Sequence, residues 1–124
     1  MGYKDFYQLD IWKNGYTLLM KIYDATDEFP PTELYALTSQ IRRSANSIVA
    51  NIAEAHGRYY YADKIRTLYI ARAEITETRS HLAVASGRKY IAEDIFVDLN
   101  TKYCDLAKDL NLFINSLKSD NKSI

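Results

Sequence analysis

Two prolines, four glycines and one cysteine are all that this chain of 124 residues holds of the residue types that break, bend or staple a backbone. Few breakers mean few turns, and therefore long elements. The lone Cys104 has no partner for an intrachain disulfide, which excludes a disulfide-built scaffold and points to a reducing, cytoplasmic setting. No uncharged apolar run approaches the roughly 20 residues of a membrane span, so no membrane association is expected. The opening MGYKDFYQLD carries acids and lacks the apolar stretch of a secretory signal. Net charge is absent too: 16 basic and 16 acidic side chains cancel, giving the chain as a whole no bias toward polyanions. What is present is a hydrophobic fraction of 48%, enough for a single core in a chain of this length.

The breakers divide the chain into four helical stretches, expected at about residues 7–26, 32–56, 60–86 and 92–118, with a frayed tail at 119–124. In the first, Leu9, Trp12, Tyr16, Leu19 and Tyr23 recur at spacings of three and four, one face of a helix. Pro30 and Pro31 must end it, because proline removes a donor and disfavours helix in the residue before it. The second stretch has Thr32 as its expected N-cap and the stripe Leu34, Leu37, Ile41, Ala45, Ile48, Ile52, with Gly57 as its stop. In the third, Leu68, Ala71, Ile75, Thr78, Leu82 and Ala85 keep the rhythm up to Gly87. The fourth carries Phe96, Leu99, Tyr103, Leu106, Leu110, Phe113 and Leu117 in an unbroken heptad series. Four amphipathic helices joined by short turns bury their stripes against one another as one domain, 1–124. The expected fold is all-α, an antiparallel up-down-up-down four-helix bundle.

Catalytic and metal chemistry find little support. Glu77 and His81 are four apart, but no second pair completes the ligand set of a di-metal bundle, and His56 stands beside Gly57. Cys104 lies in the fourth helix beside the apolar stripe, where a small boundary residue is a better reading than a thiolate nucleophile. Gly15, Gly57 and Gly87 are isolated, so no phosphate-binding glycine loop exists. The chain is expected to be neither an enzyme nor a metal or cofactor protein.

The charges, though balanced, are not evenly spread. All seven arginines lie between Arg42 and Arg88; residues 40–89 hold nine basic and four acidic side chains, and the rest of the chain seven and twelve. The middle half is thus a candidate anion-facing surface. Arg42, Arg58, Arg66 and Arg88 project away from the apolar stripes on a helical wheel and are the candidate nucleic-acid contacts. Arg72 and Arg79 flank the core and are expected to pair with acids such as Glu54 or Glu74. A second, polar row runs along the second helix: Gln40, Ser44, Ser47, Asn51, Glu54, Arg58. Serine and asparagine compete with the helix for backbone hydrogen bonds, so a row of them in mid-helix implies a tertiary task. The alternatives are a seam against the third helix or a neighbouring subunit, phosphate contacts, or an ordinary solvated face. The third helix places Ile70, Ala73 and Val84 opposite its core stripe, which favours a further packing partner.

These residues resemble a known family. Phe29-Pro30-x-x-Glu33-x-Tyr35, then Gln40-Ile41-Arg42-Arg43-x-Ala45-x-Ser47-Ile48-x-x-Asn51-Ile52-Ala53-Glu54 and Arg58, are similar to the signature of the four helix bundle proteins encoded in intervening sequences of 23S rRNA genes. Leu9-x-x-Trp12, Ile22-Tyr23 with Thr26, and Ile70-Ala71-Arg72 fit as well, so the resemblance spans about residues 5 to 90. Two positions depart from it: Ala55 replaces the usual glycine, and Ala73-Glu74 the usual Gly-Ser. The resemblance implies a bacterial homopentamer of antiparallel bundles around a central channel, without enzymatic activity. It extends to accessory proteins of diversity-generating retroelements, which share the fold and bind nucleic acid and a reverse transcriptase. By that likeness Gln40, Arg43, Ser47, Asn51 and Glu54 are structural or intersubunit residues. Arg42, Arg58 and Arg72 are the matched positions best suited to anions, Arg72 also being grouped with the structural set. The expected partners are other copies of the chain and RNA or DNA, or, on the adaptor alternative, a protein such as a reverse transcriptase.

Overall fold

The computed structural model describes residues 4–123. Among them lie four helices and no strand: α1, Asp10–Thr26; α2, Leu37–Gly57; α3, Tyr61–Gly87; α4, Glu93–Ser123. Tertiary contacts fix the directions. Gly15 lies against Ile48 and Val49 while Arg42 reaches Thr26, so α1 and α2 are antiparallel. Lys64, early in α3, donates to the carbonyls of Ala55 and His56 at the end of α2, while Ser44 meets Thr78. Arg72 bonds Asn111 and Arg79 bonds Asn100, which sets α4 antiparallel to α3. α1 and α4 close the ring; α1–α3 and α2–α4 lie across its diagonals without backbone approach. The bundle is up-down-up-down, as the sequence pattern required.

The stripes of α2, α3 and α4 meet in one core that includes Ile41, Ile48, Ile52, Leu68, Ile75, Leu82, Leu106 and Leu110. Each such side chain contributes about 1.5–3 kcal/mol through removal from water. In α1 the buried face is rotated from the expected one. Ile11, Gly15, Leu18, Leu19 and Ile22 turn inward, while Trp12 is only half-buried and Tyr16 and Tyr23 are exposed. Both sets have helical spacing. The aliphatic set wins because it can be buried completely, whereas tyrosine hydroxyls need water or a partner. Gly15 permits the close approach of α1: a Cβ there would lie 2.9 Å from Val49 Cγ1.

The helix boundaries differ from expectation in ways with local causes. α1 starts at Asp10, preceded by a 3-10 turn at Phe6–Gln8 that Asp5 and Gln8 close as a reciprocal capping box. α2 starts at Leu37. Thr32 sits in a 3-10 turn, Pro31–Glu33, and caps nothing; the Glu33 carboxylate instead accepts from the Leu37 amide. α3 does not end through a glycine in the left-handed region. Lys89 takes that position at φ 62°, and the Tyr90 amide returns to the Ala85 carbonyl, closing the helix end. α4 continues through Ser123, past the expected end at 118, since no proline or glycine follows Gly87 to stop it. Of the tail expected to fray, 119–123 is helical and Ile124 lies outside the described residues.

Candidate nucleic-acid interface

Arg58, Arg66 and Arg88 are exposed, as the helical wheel placed them, and Arg42 is half-buried. Arg42 folds back on α1: its Nε donates to Thr26 Oγ1 at 2.8 Å, one Nη donates to Asp27 at 3.0 Å, and its guanidinium lies 5.0 Å from the centroid of the Tyr23 ring. Arg58 pairs with Glu54 one turn earlier, and Arg66 with Asp63 at 3.2 Å. Arg88 lies over the Tyr90 ring, whose hydroxyl donates to Glu33 at 2.8 Å. Three of the four candidate contacts therefore already hold a carboxylate, though Arg58 and Arg66 remain exposed.

Arg72 and Arg79 overturn the expectation from the other side. Among the described residues neither meets an acid. Arg72 donates to Asn111 Oδ1 at 2.7 Å and Arg79 to Asn100 Oδ1 at 2.8 Å, both on α4. The acids assigned to them are used elsewhere, Glu54 by Arg58 and Glu74 by Arg43. Asn100 and Asn111 are site residues that sequence reasoning missed. Their signal was their spacing of eleven, three turns along α4, which places both on one face.

The polar row of α2 joins α3 at one point. Ser44 Oγ and Thr78 Oγ1 are completely buried and 2.8 Å apart, and each also lies within reach of its own helix's carbonyl, Ile41 or Glu74. The other members bond locally: Gln40 accepts from Arg43, and Asn51 donates to Ser47. Beside the row, Arg43 binds both Glu74 and Glu77, and Glu77 also meets His81 Nε2 at 3.1 Å. Partial burial pushes the Glu77 carboxyl up, but the bonds from His81 and Arg43 outweigh it and hold the group below its ordinary value. His56 Nε2 meets the Lys4 carbonyl instead of a ligand set. Among the described residues no three His, Cys, Asp or Glu side chains converge on a metal position, and Cys104 is half-buried and free. No described helix is long and apolar enough to cross a membrane.

Residues 7–112 of this bundle match the family described as 23S rRNA-intervening sequence protein. The chain belongs to that family. Its fold is shared with a crystal structure from the S23 ribosomal protein family of Bacteroides thetaiotaomicron, described as a protein with unknown function; the likeness covers 84% of this chain and 97% of that one at 27% identity and a TM-score of 0.78. No curated protein matches the chain. Within the intervening-sequence bundle, the departure at Glu74 has a structural use here. Its carboxylate, only 16% exposed, accepts from Arg43 at 3.2 Å and so ties α3 to α2. Ala55, the other departure, is buried where α2 meets α3, and its own carbonyl accepts from Lys64.

Proposed function

We propose that this intervening-sequence protein is a non-enzymatic, cytoplasmic homo-oligomer that binds nucleic acid, with RNA as its ligand. The observation that carries the reading is charge segregation. Nine basic and four acidic side chains fall within residues 40–89, essentially α2 and α3, against seven and twelve elsewhere. An excess of five positive charges per copy is modest. Repeated by symmetry in a ring, five copies by resemblance, it becomes a field of many charges that holds a polyanion more strongly than one copy does. The apolar residues on the outer face of α3, with Ile70 49% and Val84 50% exposed, supply surface for the contact between copies.

A second reading, a protein adaptor that docks a partner such as a reverse transcriptase, draws on α1. There Trp12 stacks on Tyr16 at 5.2 Å, and Tyr16, Met20 and Tyr23 are exposed on one side of the helix. Two measurements decide. Light scattering at micromolar concentration is expected to give a mass near five times 14.3 kDa; a clean monomer refutes the ring. Binding of a structured RNA is expected to weaken steeply with salt, because phosphate contacts release counterions. Absence of binding at low salt refutes the RNA reading and puts the adaptor first.

A further inference from the structure

Two arginines without carboxylate partners share one flank of the bundle. Of the seven arginines, Arg72, Arg79 and Arg88 make no ion pair with a carboxylate among the described residues. Arg72 and Arg79 share the α3 side of the α3–α4 seam, seven residues and about 10 Å apart along the axis. Facing them on α4 is a row from Asn100 to Lys118 at spacings of four, four, three, four and three, which includes Lys108 and Asn111 and no carboxylate. The α3 row through Tyr69, Arg72, Thr76 and Arg79 has none either. Two acids of α4 lie round the other side: Asp105 and Asp109 line the groove toward α1 together with Lys21 and Lys102.

The seam orients these charges. Asn100 and Asn111 are neutral acceptors, so each fixes one N–H of its arginine without cancelling the charge, and leaves the remaining guanidinium donors for a ligand. At the far end the Tyr69 ring brings a further cation to Arg72, with the Arg72 guanidinium 4.7 Å and the Lys118 ammonium 5.4 Å from its centroid. Like charges do not approach one ring for their own stability. Their convergence over a shared aromatic surface, with no acid in either row, makes a region of positive potential about 15 Å long from the level of Arg79 to that of Tyr69. A line of cations of that length suits successive charges along a strand rather than one small anion.

We propose that the α3–α4 flank is a phosphodiester-binding track: Arg72, Arg79 and Lys118, with Lys108 beside them, hold the backbone of an RNA strand. The inference rests on the RNA-binding reading and relocates the contact from Arg42, Arg58 and Arg66, whose charge is already met by Asp27, Glu54 and Asp63. Tyr69 acts as a positioning residue for two cations, and its ring is covered by them, so base stacking is not part of the contact.

The test is fluorescence anisotropy with a labelled oligouridylate on the full chain, titrated at several salt concentrations. Wild type is expected to bind. The variant R72Q/R79Q/K118Q is expected to lose at least tenfold in affinity, and its slope of log K against log salt to fall by about 2, as removal of three phosphate contacts from a single strand requires. R58Q/R66Q is expected to change affinity less than twofold. Helicity by circular dichroism and mass by light scattering are expected to match wild type throughout. Should the triple variant misfold, K108Q/K118Q keeps the test decisive, since these exposed lysines donate no hydrogen bond among the described residues; a loss of at least threefold is then expected. Wild-type binding that survives the flank substitutions, or that falls equally in R58Q/R66Q, overturns the track and leaves the RNA reading intact. Failure of wild type to bind removes both.

Discussion

Replacing Tyr103 by phenylalanine is expected to make the protein more stable. The Tyr103 side chain is completely buried at the centre of α4's inner stripe, and its hydroxyl has no hydrogen-bond partner among the described groups. In the unfolded chain that hydroxyl is hydrated, so burying it bare costs about 1–3 kcal/mol. Phenylalanine keeps the ring and its packing and removes only the oxygen; the small gap left behind takes back part of the gain. A net increase of about 1–2 kcal/mol is expected, or roughly 4–8 °C in melting temperature for a domain of this size. Urea denaturation should show a higher midpoint at unchanged slope. The pH dependence carries the same signature with a definite sign. Burial pushes the Tyr103 phenol above its ordinary value of 10.0, so the folded state favours the protonated form. Its contribution to stability is fully present below that value and is lost as pH rises above it, and the advantage of Y103F should therefore widen above about pH 10 by up to ~1.4 kcal/mol per pH unit. If Y103F is less stable than wild type by more than about 0.5 kcal/mol at neutral pH, the hydroxyl has a partner in solution and the reasoning fails.

The buried Ser44–Thr78 contact is expected to show a coupling of about 0.5–1.5 kcal/mol in a double-mutant cycle of S44A and T78V, with each single change costing only about 1 kcal/mol because the surviving hydroxyl still reaches its own helix's carbonyl; a coupling near zero in chemical denaturation would discount the seam. Lys89→Gly should stabilise by about 1 kcal/mol in the same assay, since glycine enters the left-handed region without the penalty lysine bears at φ 62°, and a loss of stability would refute that account. Gly15→Val is expected to destabilise by at least about 1–3 kcal/mol, because even its Cβ lies 2.9 Å from a stiff Val49 methyl; a neutral result in thermal melts would mean that α1 moves outward freely. Glu77→Gln should cost under about 1 kcal/mol at neutral pH, and because the folded-state carboxyl is held below the value of 4.5, the difference from wild type should disappear as pH falls through that region; a difference that persists in acid would locate the effect in packing.

The fold was legible because three of the four stripes are mainly aliphatic residues at a single helical phase. Ile41 to Ile52, Leu68 to Ala85 and Leu99 to Leu110 admit one inward face each, and the breakers between them leave only short turns. α1 was misread because it carries two sets in phase, and periodicity alone cannot tell Ile11-Leu18-Ile22 from Trp12-Tyr16-Tyr23; complete burial of the aliphatics decides. The caps were less legible still. Thr32 is the better capping residue by type, but the Pro30-Pro31 turn carries the chain past it, and the carboxylate that reaches the Leu37 amide belongs to Glu33. The partners of Arg72 and Arg79 were misassigned for a different reason: a wheel gives direction on one helix and says nothing of what the next helix presents. Arg72 and Arg79 were expected to find acids because they flank the core, and what α4 presents there is asparagine.

Glu33 answers two partners at once, the Leu37 amide at the head of α2 and the Tyr90 hydroxyl in the turn between α3 and α4, while the Tyr90 ring also rests on Phe29 at 5.4 Å. The two longest connections of the chain are thereby latched at one pole of the bundle, although 57 residues separate the carboxylate from the phenol. At the opposite pole α2 passes into α3 through Arg58, Tyr59 and Tyr60, with Tyr59 86% exposed, and among the described residues only the contact of His56 with the Lys4 carbonyl ties the lead-in of α1 there. Opening therefore has a direction. Either hairpin can fray from the Tyr59 pole by local motion, whereas the Glu33 pole parts only when both hairpins part together, so its amides report the global unfolding of the molecule and the chain tolerates a cut at Tyr59 more readily than one near Tyr90.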